Sequence, residues 1–225
     1  MKKIRIGSGA GYAGDRIEPA IELMKKGNLD YIIFECLAER TIAIGQQQKL
    51  KDPSKGYNEL LEYRMKHVVP LCKEKKIKVI TNMGSANPIS AAKIVKQIAE
   101  NLGIKGLKIA AVLGDDIFTN IDKYMNYKIL ETGENLESIK SQIVSANAYI
   151  GTQGIIEALK NGADIVITGR VADPSLTLAP LIFEFGWDKE NYELLGKGTL
   201  AGHLLECAGQ VTGEIGRASC RERGS

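Results

Sequence analysis

Along this chain, short apolar runs alternate with longer segments whose apolar residues recur every three or four positions. Ile4–Ile6, Tyr31–Glu35, Lys78–Thr81, Lys108–Leu113 and Asp164–Thr168 are brief, mostly apolar and rich in β-branched residues, the pattern of buried strands. Ile143–Ala146 reads as a further strand. Between them, helical periodicity predicts helices over Arg16–Lys26, Ala38–Leu50, Asn58–Lys75, Asn87–Leu102, Gly154–Asn161, Ser175–Phe185 and Thr199–Cys207. Asp15 is placed to cap the first, with Pro19 in its first turn, and Asn87-Pro88 opens the fourth as cap and first helical residue. Pro70 predicts a kink in the third. Residues 117–136 show neither period and predict a loop-rich excursion. Strands alternating with helices predict right-handed βαβ units. The expected fold is α/β, a mainly parallel sheet with helices on both faces in a three-layer, doubly wound arrangement; the alternative is an incomplete (β/α) barrel.

In a parallel sheet every strand points its carboxyl end to the same edge, and ligands bind in the crevice outside that edge. Polar residues gather after the predicted strands: Gly7–Arg16, Glu35 with Glu39 and Arg40, Asn82 with Ser85 and Asn87, Asp115-Asp116, Asn147, and Arg170 with Asp173. Each loop alone is ordinary turn chemistry, since Gly, Asn and Asp favour turns. Six loops of one character point to a shared crevice.

The first loop, Gly9-Ala-Gly-Tyr-Ala-Gly14, matches the G-x-G-x-x-G dinucleotide fingerprint, and Glu35 lies where a ribose-binding acid would fall. Two spacings argue against a dinucleotide. The strand is expected to end at Ile6, too early for Gly9 to make the turn, and Asp15 with Pro19 start the helix too late. NAD(P) is therefore disfavoured. A smaller phosphate or carboxylate fits better, held by the backbone at Gly9, Gly11 and Gly14 and by Arg16, with Asn82, Asn87, Asn147 and Arg170 completing the anion or substrate site. A bare tight turn remains the third reading of the glycines. Glu35 and Asp173 are candidates for proton transfer, because burial at a strand end raises a carboxylate pKa. His203, with Glu206 and Cys207, shares one helix face, suited to acid–base work or simply to packing. No metal site is expected; Asp115 and Asp116 are the weak candidates, and a turn with a helix cap accounts for them equally.

Composition narrows the classes further. The 225 residues are 44% hydrophobic and 25% charged, with a net charge of +3 and both signs interleaved. That balance gives no electrostatic case for nucleic acid or an acidic membrane. No apolar run approaches the roughly 18 residues of a membrane span, and the N-terminal residues do not form a signal peptide. Cys36, Cys72, Cys207 and Cys220 fall singly, as reduced thiols of a cytoplasmic protein do.

Five runs resemble the N-terminal domain of the acyclic terpene utilisation (AtuA-type) family: GSGAGYAGDRIEPAIEL, LDYIIFECLAERTIA, ITNMGSANP, ADIVITGRVADPSL and GTLAGHLLECAGQVTG. The resemblance runs from about Ile4 to Gly213. It implies a cytoplasmic bacterial enzyme in the breakdown of citronellol- and geraniol-type compounds through coenzyme A thioesters. It brings no settled catalytic residues. Residues 1–213 are read as one α/β domain, and Glu214–Ser225 as a non-native tail resembling a translated sequencing adapter, with the natural domain continuing further. Lyase or hydratase chemistry on a small carboxylate or its acyl-CoA thioester is the expected activity. A nucleotide-dependent oxidoreductase and a non-catalytic ligand-binding subunit are the alternatives. The expected partners are a small-molecule substrate and either a second copy of the chain or a missing C-terminal domain.

Overall fold

The structure, a computed structural model, describes residues 2–207; the expected tail and Cys220 lie outside the described residues. Among the described residues, five strands form one sheet: β1 (Ile6–Ala10), β2 (Tyr31–Phe34), β3 (Lys78–Thr81), β4 (Ile109–Val112) and β5 (Ile165–Thr168). All pairs are parallel and the order is β1-β2-β3-β5-β4. The helices are α1 (Glu18–Lys26), α2 (Glu39–Lys51), α3 (Leu61–Lys75), α4 (Pro88–Asn101), α5 (Gln153–Lys160), α6 (Ser175–Phe185) and α7 (Tyr192–Cys207). The sheet is open, with β1 and β4 at its edges, so the barrel alternative is set aside.

The order follows from chain handedness. Chain travel from β1 to β2, β3 and then β4 runs in one direction, and a right-handed crossover puts α1, α3 and α4 on one face. The return from β4 to β5 reverses direction and puts α5 on the other. The side chains agree. Ile32, Phe34, Val79, Ile165 and Ile167 pack with Met24, Met65, Val68, Val95 and Ile98. Tyr31, Ile33, Ile80 and Val166 face Ile155, Leu159, Leu176 and Ala179. Period-two alternation with both faces covered explains why these strands read as unbroken apolar runs.

Four local expectations change. β1 runs to Ala10 rather than ending at Ile6. Its glycines are a packing requirement: a Cβ on Gly9 would sit 2.6 Å from Phe34 Cε1, and one on Gly7 2.7 Å from Leu23 Cδ2. Gly9→Ala is expected to cost about 1–3 kcal/mol by overpacking against the buried Phe34 ring, read from urea unfolding; an unchanged midpoint would refute this packing role. Asp15 does not cap α1. Its carboxylate accepts from Gly11 N (3.0 Å) and Arg16 N (3.0 Å), closing the loop on itself, while Ile17 stands at the cap position and Pro19 in the first turn. Ile143–Ala146 is not a strand, because the excursion that carries it leaves the sheet; only an isolated bridge, Asp116 with Asn147, marks its base. Helix α7 begins earlier than expected, since Gly196 and Gly198 weaken its helical signal. Helix α3 continues through Pro70. Asn87 caps α4 as expected, accepting from Ser90 N at 3.3 Å.

Candidate functional site

Strands β3 and β5 are neighbours, yet β3 leads to α4 on one face and β5 to α6 on the other. Their carboxyl ends mark the topological switch point, where open α/β sheets hold ligands. A buried polar cluster sits there. Glu35, one residue past β2, is 5% exposed. Its Oε1 accepts from Asn82 Nδ2 (2.7 Å) and Leu37 N (3.0 Å), whereas Oε2 has no donor among the described residues. Asn82 is itself fixed, accepting from Cys36 N at 2.7 Å. Burial raises the Glu35 pKa; the two hydrogen bonds lower it, nearby Glu206 raises it and Arg170 lowers it.

Arg170 is the second centre. Its backbone N donates to Asp115 Oδ2 (2.8 Å), and its guanidinium donates to Leu37 O (2.5 Å) and Val171 O (3.0 and 2.8 Å). It pairs with Asp173 and lies under the Tyr149 ring, 4.4 Å from the centroid. The Tyr149 hydroxyl in turn donates to Glu39. Asn147 Nδ2 donates to Asp115 Oδ2 at 3.0 Å. Burial raises the Asp115 pKa against these hydrogen bonds. Gly169 permits this approach, since a Cβ there would overlap the Asp115 carboxylate.

The structure thus brings together Glu35, Asn82, Asp115, Asn147, Arg170 and Asp173. Arg170 and Asp173 form the internal pair, so most of the guanidinium's donors are engaged by the protein. Of the other candidates, Gly14 lines the cavity beside the cluster, Gly11 N is tied to the Asp15 carboxylate, and the rest lie elsewhere. Gly9 is inside β1, and Arg16 is exposed beside Glu18 and Pro19 along α1. Asn87 donates to Pro53 O (2.9 Å) and Lys55 O (2.8 Å), pinning a loop. His203 is exposed on α7, its Nδ1 3.7 Å from Glu206 Oε2. Asp116 faces solvent, 3.8 Å from Lys49 Nζ, so it diverges from buried Asp115. Among the described residues no three His, Cys, Asp or Glu side chains converge as a metal set.

Beside the cluster lies a cavity of about 400 Å³ lined by Ala13, Gly14, Cys36, Leu37, Ile44, Gly45, Tyr57, Leu60 and Ser85, among others. Leu37 joins the two: its side of the chain lines the cavity and its carbonyl accepts from Arg170. Ser85 holds φ at +48°, a left-handed conformation in which serine is strained, at the cavity wall. Sequence reasoning missed most of this lining. Gly45, inside α2, was the available signal: a Cβ there would meet Ser85 Oγ at 2.6 Å. Behind the cavity, fully buried Arg64 donates to Cys36 Sγ (3.1 Å), Met83 Sδ (3.6 Å) and Asp15 O. Burial pushes the Cys36 thiol up to about 12, so it is a neutral thiol and no nucleophile at neutral pH.

The raised Glu35 pKa has a stability consequence. The folded protein keeps that proton to higher pH than the unfolded chain does. Between the ordinary value of 4.5 and the folded value, unfolding releases a proton, and this group's contribution to stability falls as pH rises. Unfolding free energies of the protein and of Glu35→Gln, measured from pH 4 to 8, should therefore diverge, with the variant gaining relative stability toward the alkaline end. Parallel curves would contradict the shift.

No helix among the described residues is long and apolar enough to cross a membrane. No curated protein and no solved structure matches the chain. Residues 4–218, most of the sequence, match the family described as acyclic terpene utilisation family protein AtuA. The expectation raised by the five sequence runs is met, and the chain belongs to the acyclic terpene utilisation (AtuA) family.

Proposed function

We propose that the protein is a catabolic enzyme that moves a proton next to the carbonyl of a small carboxylate or its acyl-CoA thioester, in lyase- or hydratase-type chemistry within acyclic terpene utilisation. The observation that carries this reading is Glu35: a buried carboxylate with a raised pKa, one oxygen fixed by Asn82 and Leu37 N, the other unengaged. A general base works best when its pKa approaches the operating pH, and its rotamer must be held. Asn82 and Leu37 supply the hold. Arg170 keeps the ionised form accessible, and its ties to Leu37 O and Val171 O fix the walls around it.

In this reading the apolar cavity between α2 and Leu60 receives the acyl chain. Its size is within the range of small-molecule sites. The carbonyl end passes Leu37 toward Glu35, and the carboxylate takes the proton from the adjacent carbon. The test is hydrogen–deuterium exchange at that carbon, followed by NMR in D2O with short branched acyl-CoA thioesters and with the free acids. Exchange above the buffer rate supports the reading. Exchange at the buffer rate with both series removes it.

A further inference from the structure

We infer that the free edge of β4 and the excursion that follows it form a twofold interface with a second copy of this chain. Among the described residues β4 pairs only with β5, so its outer N–H and C=O groups have no strand partner there. Exposed edges are normally blunted by charge, proline, a bulge or shortness. Ile109-Ala-Ala-Val112 has only its four-residue length and carries no charge, proline or bulge. A groove of about 450 Å³ runs beside it, lined by Lys108–Leu113 together with Gly154, Glu157, Ala158, Asn161 and Ala163.

The excursion over 116–147 springs from the carboxyl end of this edge. It is roughly thirty residues long, well beyond the ~12–15 of ordinary structureless loops. It is built from two 3-10 turns, Phe118–Tyr124 and Leu136–Gln142, and only Met125 within it is buried. Leu130 is 96% exposed, and Tyr127, Val144 and neighbouring Leu113 are also exposed. So much ordered backbone with so little burial is poorly supported by the single chain.

Charge chooses the occupant. The excursion carries Asp116, Asp122, Glu131, Glu134 and Glu137 against Lys123, Lys128 and Lys140, a net of −2 by subtraction. The amino end of the same edge is basic. Lys105 precedes it, and Lys108 Nζ reaches Asn161 O, next to Lys160. Basic and acidic ends lie at opposite ends of one strand. Antiparallel pairing of β4 with its twofold copy therefore sets the acidic excursion of each chain against the basic end of the other. A register centred between Ala110 and Ala111 pairs Ile109 with Val112 of the second copy and brings Lys108 beside the Leu113 from which the other chain's excursion departs. The four-residue edge alone is too short for a specific interface, which needs on the order of 1,000 Å²; the excursion supplies the rest.

Sedimentation velocity on the whole chain, across about 1 to 100 µM because assembly follows mass action, should show a concentration-dependent dimer. Lys105→Glu with Lys108→Glu should raise Kd at least about tenfold, and adding Glu131→Lys with Glu134→Lys should restore most of it. Leu113→Asp should leave a folded monomer by circular dichroism. A wild-type monomer throughout, a Kd insensitive to charge reversal, or a Leu113→Asp dimer of unchanged Kd would each overturn the assignment.

Discussion

Glu35→Gln is expected to lower the exchange rate next to the acyl carbonyl by about 10²–10⁴-fold while leaving the fold intact. Glutamine keeps the length and the Oε1 acceptor, so the hydrogen bonds from Asn82 Nδ2 and Leu37 N survive. What it loses is the ability to take a proton at the second position. Ligand affinity should change far less than rate, because Cys36 and Leu37 line the cavity and Glu35 does not. Single-turnover exchange together with acyl-CoA binding by calorimetry separates the two. A variant that exchanges at the wild-type rate would remove Glu35 from the chemistry even if the protein proves to be an enzyme.

Arg170→Ala is expected to be the most destabilising single change in the site, at about 3–5 kcal/mol. The side chain is 2% exposed and ties Leu37 O, Val171 O and Asp173 to one guanidinium. Its removal leaves buried acceptors without donors and a void under the Tyr149 ring. Arg170→Lys should recover only part of the loss, since an ammonium cannot reproduce the planar fork. Denaturant unfolding of the two variants reads both effects, and a loss below about 1 kcal/mol for alanine would show that the clamp is not structural. Under the proposed function the clamp also bears on catalysis. Arg170 holds the Glu35 pKa down against burial. Arg170→Lys keeps a charge there, whereas an alanine variant stable enough to assay should move the acidic limb of the rate profile to higher pH.

Much of the fold was legible in the sequence. Tyr31–Phe34, Lys78–Thr81 and Ile165–Thr168 could be read because a strand buried on both faces must be apolar throughout. Asn87-Pro88 fixed the start of α4 because capping is local chemistry. Residues Gly7–Ala10 misled because a glycine demanded by Phe34 and Leu23 looks, in one dimension, like a glycine demanded by a ligand. Ile143–Ala146 misled because a short apolar run does not say whether a sheet is within reach.

The site divides along the same line. Strand-end position alone brought Glu35, Asn82, Asp115 and Arg170 to one edge, since parallel strands share a direction. Sequence could not say what each would do there. Pairing of Arg170 with Asp173, use of Asn87 to pin the Pro53–Lys55 loop, and exposure of Arg16 and His203 all depend on which elements pack together. The cavity is a further product of packing, because α2 approaches Ser85 only through Gly45. Local pattern determined the family, the strands and the edge on which the chemistry would gather. Tertiary structure decided which polar groups are spent on one another and which oxygen, Oε2 of Glu35, is left without a donor among the described residues. Hydrogen-bond partners distant in sequence are set by the order of strands in the sheet, and no local pattern encodes that order.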